Sequence, residues 1–192
     1  MFLVFPRIRL RISVFALPAL LVMLWLEGLL PFFMLLLSAV IHEIGHILAI
    51  RRLGYRARRV DVLPMGALIV CPESITYRDE TVIALSGPIS SAVASLAAFC
   101  IYSLTFDEYI FFFAFINLTL AVFNLLPIKS LDGGKALNCF LLYKGKENCE
   151  RICSAASVFA KVTLVILMLA GVVSSGYNLG VILLSSALLF QL

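Results

Sequence analysis

The stretch Leu35-Leu36-Leu37-Ser38-Ala39-Val40-Ile41-His42-Glu43-Ile44-Gly45-His46-Ile47-Leu48-Ala49-Ile50 decides how the rest of the chain is read. The chain has only 2 histidines, His42 and His46, one helical turn apart in an apolar run from about Leu29 to Ile50. Residues four apart share a helix face, so both imidazoles can reach one metal ion. Glu43 follows the first histidine directly, where a carboxylate can exchange protons with water at that ion. Such a motif also occurs by chance in soluble helices. In a lipid-length helix a central charge costs roughly 2.5–3.5 kcal/mol, so ionisable groups there are rarely idle. The stretch points to zinc chemistry inside a membrane.

Composition agrees. The chain has 192 residues, 62% hydrophobic and 14% charged, with a mean hydropathy of +1.09. A soluble domain of this length does not need so much apolar surface. The net charge of +4 does not indicate nucleic acid, because the basic residues flank apolar runs rather than line one face. They act as topology signals and as contacts for anionic lipid. Cys71, Cys100, Cys139, Cys149 and Cys153 form no C-x-x-C pair and read as ordinary reduced thiols.

Working outward, Arg7, Arg9 and Arg11 precede an apolar run over about 12–26, interrupted by Pro18. Trp25-Leu26-Glu27 is no small-residue cleavage site, so this run is expected to be retained as a first span. Further spans are expected over about 29–50, 81–104, 109–127, 154–173 and 177–191. Lys161 falls inside the fifth, where it either snorkels to the interface or has a functional partner. Val60 to Val70 is apolar and β-branched but too short to span as a helix, with Pro64 and Gly66 in its middle. It reads as two short extended pieces around a turn, tolerated at membrane depth only if buried in protein or lining a cavity. The expected fold is an all-α polytopic membrane protein, one domain over 1–192, with about six transmembrane helices and a short membrane-embedded β-hairpin after the second.

Charge orients these spans. With the N-terminus in the cytoplasm, the N-terminal segment, 51–80 and 128–151 hold 14 of the 15 Lys and Arg residues. The opposite loops hold none, only Glu27, Asp107 and Glu108. The positive-inside rule then puts both termini in the cytoplasm, in a multi-pass protein of the cell membrane.

A catalytic zinc site usually has three protein ligands. His42 and His46 lie in the cytoplasmic half of the second span, and the fourth span descends to the same side into Asn124-Leu125-Leu126-Pro127-Ile128-Lys129-Ser130-Leu131-Asp132-Gly133-Gly134. Asp107 and Glu108 are on the wrong side. Glu73, Asp79, Glu80, Glu147 and Glu150 lack a buried context. Asp132, beside two glycines that permit close backbone approach, is the expected third ligand. Glu43 is the expected general base, taking a proton from water and returning it to the leaving amine. Asn124 either donates to a developing oxyanion or makes an interhelical hydrogen bond. Gly87-Pro88 reads as a kink with close helix packing, and Phe111-Phe112-Phe113 as an interfacial aromatic belt.

With these residues in place, the sequence resembles the site-2 protease family of intramembrane zinc metalloproteases. The resemblance rests on His42-Glu43-Ile44-Gly45-His46, Ser86-Gly87-Pro88, and Asn124-Leu125-Leu126-Pro127 leading to Leu131-Asp132-Gly133-Gly134, together covering about 35–140. It implies one zinc per chain on His42, His46 and Asp132, with Glu43 catalytic, and cleavage within or next to a transmembrane segment. Leu63-Pro64-Met65-Gly66 after an early H-E-x-x-H, with six expected spans and no PDZ insertion, looks most like the sporulation (SpoIVFB) subgroup. That likeness implies a membrane-tethered sigma-factor precursor as substrate and inhibitory membrane partner proteins. Two positions depart from the family. Ser91 stands where the family carries Asn after Gly-Pro, and Met65-Gly66-Ala67 replaces a double glycine. That subgroup usually continues into a cytoplasmic nucleotide-sensing domain, which is not expected within 1–192, whether the sequence is the membrane part of a longer protein or a short relative.

A helical substrate hides its carbonyls, so it must unwind. The 60–71 segment, Gly66 included, offers an edge for pairing with the unwound strand. The rival reading is a metal transporter or non-catalytic metal-binding membrane protein, since His and Asp within spans also suit ion passage. Glu43 discriminates, because transport does not need it beside a complete ligand set.

Overall fold

A computed structural model describes residues 2–5, 8–12, 28–55, 59–63, 66–70 and 75–174. Among them, in chain order, are β1 (Phe2–Phe5), β2 (Ile8–Ile12), α1 (Leu29–Arg52), β3 (Arg59–Leu63), β4 (Gly66–Val70), α2 (Tyr77–Thr105), α3 (Glu108–Asn124), α4 (Asp132–Tyr143) and α5 (Cys149–Ser174). α1 and α2 are long and apolar enough to cross a membrane, and α3 is a shorter apolar helix. Most of the expected first span, the turn at Pro64-Met65 and the whole of the expected sixth span lie outside the described residues.

The helices start and stop where local chemistry dictates. Thr76 caps α2, its hydroxyl accepting from the Asp79 amide at 3.2 Å. Asp107 caps α3, accepting from the amides of Tyr109 at 2.8 Å and Ile110 at 3.3 Å. Phe106 ends α2 in a left-handed conformation (φ 53°), so α3 can begin almost at once. Tyr55, just after α1, donates to the Asp79 carboxylate at 2.7 Å, tying together the two ends of the segment that carries β3 and β4.

Two elements depart from the sequence reading. The fold is not all-α outside one hairpin, because a four-stranded sheet runs in the order β1-β2-β3-β4. β1 and β2 pair antiparallel, β2 and β3 parallel, β3 and β4 antiparallel. The signal for β2 is the alternation Ile8-Arg9-Leu10-Arg11-Ile12, a period of two that the arginines' role as topology markers had absorbed. The second departure is α4, which occupies what reads as a polar connection. Its Gly133-Gly134 start looks like a loop, since glycine is a poor helix former.

The described helices are packed inside out relative to a soluble core. Apart from Ile50, their buried positions are mostly small or polar, among them Ser38, Ala84, Ser91, Ser95, Ala98, Ala114, Asn117 and Ala121. Large apolar side chains such as Phe33, Leu37, Leu96, Phe115 and Val122 point outward. Lipid supplies no hydrophobic drive between helices, so spans associate through close packing and interhelical hydrogen bonds. Those bonds are present. Ser90 Oγ donates to Ile41 O at 3.0 Å, Ser95 Oγ to Ala114 O at 2.8 Å, and Asn117 Nδ2 to Ser38 Oγ at 2.8 Å. Gly45 lets α2 approach α1: a Cβ there would lie 2.5 Å from Ser86 O and from Ser90 Oγ.

The Asn117–Ser38 bond gives a direct test of this packing. In a double-mutant cycle of Asn117→Ala and Ser38→Ala, measured by denaturation in detergent, each substitution is expected to destabilise. The pair should couple by about 0.6–1.7 kcal/mol. Strict additivity would show that the bond contributes nothing.

Candidate metal centre

Two elements bring the candidate residues together. His42 and His46 come from successive turns of α1, and Asp132 is the first residue of α4. Asp132 Oδ2 lies 3.0 Å from His42 Nε2 and 3.1 Å from His46 Nε2. Among the described residues this is the one group of three such donors close enough to share a metal ion, their ligand atoms all within 4.8 Å of one another. All three side chains are buried.

The glycines explain why the donors can converge. Gly87 on α2 faces the rings; a Cβ there would clash with His46 Nε2 and lie 2.7 Å from His42 Nε2. Gly133 and Gly134 hold the start of α4 against the turn after α3. Cβ atoms on them would strike Leu125 and Leu126 backbone in one case and Ile128 backbone in the other. The Gly87 turn is thus a place of close helix packing, made tight so that two imidazoles fit beneath it.

The rings are held from behind. His46 Nδ1 donates to the Ile83 carbonyl at 2.8 Å, which can only accept, so Nδ1 holds a proton and the Nε2 that faces Asp132 is the nitrogen left for a metal ion. The same carbonyl also accepts from Ser86 Oγ at 2.6 Å. His42 Nδ1 lies 3.0 Å from Ser91 Oγ. Burial pushes the Asp132 carboxyl up, but the hydrogen bonds from His42 and His46 outweigh it and hold it well below the usual carboxylate range. Its other oxygen, Oδ1, meets Lys135 Nζ at 3.5 Å. Two imidazole nitrogens and a carboxylate oxygen, oriented on one point in a volume that a methyl group would fill, fit a single zinc ion.

The remaining candidates are less concentrated. Glu43 is half-buried beside His42, with its Oε2 sealed from solvent. Asn124 ends α3, where its amide donates to Leu120 O at 3.0 Å within its own helix. Gly66 opens β4 opposite Leu63. Cys139, Cys149 and Cys153 are buried free thiols. Burial, with Glu80 nearby, pushes the Cys139 thiol up to about 12, which keeps it protonated and inert. The sequence reading missed what holds the rings, Ser91 and the Ile83 carbonyl. For Ser91 the available signal was its spacing of four from Gly87, which places both on one face of α2.

Comparison with known proteins gives the family. The description of peptidase family M50 matches residues 31–107 and 102–170. Stage IV sporulation protein FB of Bacillus subtilis is 35% identical over 117 residues, 57% of this chain and 38% of that protein. A zinc metalloprotease of Methanocaldococcus jannaschii is 27% identical over 118 residues, 59% of this chain and 34% of its own length. Rip3 of Mycobacterium tuberculosis, described as a putative zinc metalloprotease, is 30% identical over 158 residues, 77% of this chain and 40% of its own. The chain thus spans well under half the length of these relatives. Among solved structures, a site-2 protease from Methanocaldococcus jannaschii superposes with a TM-score of 0.68 at 24% identity, covering 99% of this chain and 92% of that one, a likeness of fold.

The cradle is testable. Gly87→Ala should retain helix content, alanine being the better helix former, yet lose most bound zinc in elemental analysis of the purified protein. Zinc content equal to that of the unaltered chain would contradict the packing described.

Proposed function

The chain belongs to peptidase family M50, and from that membership we propose that it is an intramembrane zinc metalloprotease cleaving membrane-tethered proteins. The observation that carries the proposal is the convergence of His42 Nε2, His46 Nε2 and Asp132 Oδ2 one residue away from Glu43, on helices whose outward faces are apolar. These three side chains would hold the metal. When bound, zinc supplies Lewis-acid polarisation of the scissile carbonyl and of water. Glu43 takes the proton from the attacking water and delivers it to the leaving amine, closing the proton balance of amide hydrolysis. Asn124, whose amide has a second N–H beyond the one given to Leu120, donates to the developing oxyanion.

Substrate presentation falls to the sheet. β2 covers one edge of β3, so the hairpin's remaining edge is β4. An unwound substrate segment adds to β4 by main-chain pairing, which exposes its carbonyls. The hairpin lies at membrane depth in a six-span chain, supported by the apolar runs at 12–26 and 177–191 and by the charge asymmetry of the loops. Both termini and the site face the cytoplasm. Similarity to a stage IV sporulation protein makes a sporulation sigma-factor precursor the first substrate to test, with membrane proteins that block β4 as candidate inhibitors.

Two outcomes test this reading. Glu43→Gln should keep stoichiometric zinc and lose all measurable cleavage of a tethered substrate. A variant that still cleaves would remove Glu43 from the chemistry, and zinc-dependent ion flux in liposomes would favour transport. Gly66→Pro should slow cleavage about 10-fold with zinc content unchanged, because proline has no N–H to pair across the hairpin with Leu63. Equal loss of zinc and activity would sink the docking role.

A further inference from the structure

The two imidazoles are held by partners of different kinds. His46 Nδ1 bonds to the Ile83 main-chain carbonyl, which no substitution removes. His42 Nδ1 meets a side chain, Ser91 Oγ, at 3.0 Å, and Ser91 is fully buried at 0% exposure. The neighbouring serine cannot take its place. Ser90 Oγ is turned instead to main-chain carbonyls, those of Gly87 at 2.7 Å, Ile41 at 3.0 Å and His42 at 3.5 Å. Ser91 follows Gly87 by one helical turn, so a single face of α2 makes room for the rings and grips one of them.

We propose that Ser91 is the positioning residue of the metal centre, its hydroxyl oxygen accepting the Nδ1–H of His42 and thereby aiming Nε2 at the point shared with His46 and Asp132. The inference rests on the reading of these three side chains as zinc ligands. An imidazole that coordinates through Nε2 must carry its proton on Nδ1, and a buried N–H without an acceptor is unfavourable. Without Ser91 the ring would turn about its side-chain bonds or adopt the other tautomer, and either change withdraws the Nε2 lone pair. His46 would keep its orientation through Ile83. The centre would then be left with two well-aimed donors and one poorly aimed, which weakens zinc binding without dismantling the fold. Close approach of α2 to α1 at Gly45 and Gly87 brings this short side chain within reach of the ring.

Zinc affinity of the detergent-purified chain, measured by competition with a chelator, tests the proposal, together with metal-free thermal stability and the visible spectrum of the cobalt-substituted protein. Ser91→Ala should weaken zinc binding roughly 10–100-fold and alter the cobalt spectrum, with metal-free stability close to that of the unaltered chain. Ser91→Thr, which restores the hydroxyl, should recover most of the affinity. Ser95→Ala, which removes a buried interhelical bond to Ala114 O one turn further on, should leave zinc affinity unchanged. The proposal is overturned if Ser91→Ala binds zinc as tightly as the unaltered chain. It is also overturned if Ser95→Ala weakens zinc equally, or if Ser91→Ala loses its metal-free fold and Ser91→Thr does not restore it. Each of those results makes Ser91 a packing residue only. If the unaltered chain itself takes up no zinc, the metalloprotease reading fails first, which separates the two failures.

Discussion

Two imidazoles and a carboxylate share a volume that one methyl group on residue 87 would invade. Most of the helical architecture follows from keeping that volume open yet sealed. α1 must present His42 and His46 on one face, α2 must pass close above them with no side chain, and the turn after α3 must deliver Asp132 from below. Gly45, Gly87, Gly133 and Gly134 stand at the three places where backbones would otherwise be held apart. Small and polar residues line the interfaces and large apolar ones face outward, the arrangement that suits helices whose solvent is lipid.

The same closeness gives the site its chemistry. Burial makes a carboxylate expensive unless it is paired, and Asp132 is paired with two imidazoles on one oxygen and with Lys135 on the other. The nitrogens turned away from the trio are anchored by Ile83 O and Ser91 Oγ, so the facing Nε2 atoms are oriented before any metal arrives. Pre-set donors lose little freedom on binding, which is how a three-ligand site can hold its ion while leaving a coordination position open. The ligands sit on rigid helices while the substrate edge proposed for β4 belongs to a separate sheet. Binding of metal and docking of substrate can therefore be perturbed independently.

Much of this was legible in the sequence, for identifiable reasons. His42 and His46 declare themselves because they are the chain's 2 histidines and lie four apart in an apolar run. Asp132 follows from charge topology, which removes Asp107 and Glu108, and from the adjacent glycines. What the sequence hid is equally specific. α4 was masked by glycines whose role is close approach rather than flexibility. β2 was masked because Arg9 and Arg11 serve as topology markers and as alternate residues of a strand at once. Ser91 is legible only as a departure from the family's Asn and by its spacing of four from Gly87, since a serine in a span is ordinarily an interhelical hydrogen-bond donor; its neighbour, His42 Nδ1, comes from the fold. The Ile83 carbonyl could not be read at all, because backbone acceptors have no letter.

The central claim is that this chain binds one zinc ion through His42, His46 and Asp132 rather than through its buried thiols. X-ray absorption at the zinc edge of the purified chain tests it most directly. The expected result is one zinc per chain with only nitrogen and oxygen scatterers at about 2.0–2.2 Å, including the multiple-scattering signature of two imidazoles. A sulfur shell at about 2.3 Å would place the metal on Cys139, Cys149 or Cys153 and contradict the account.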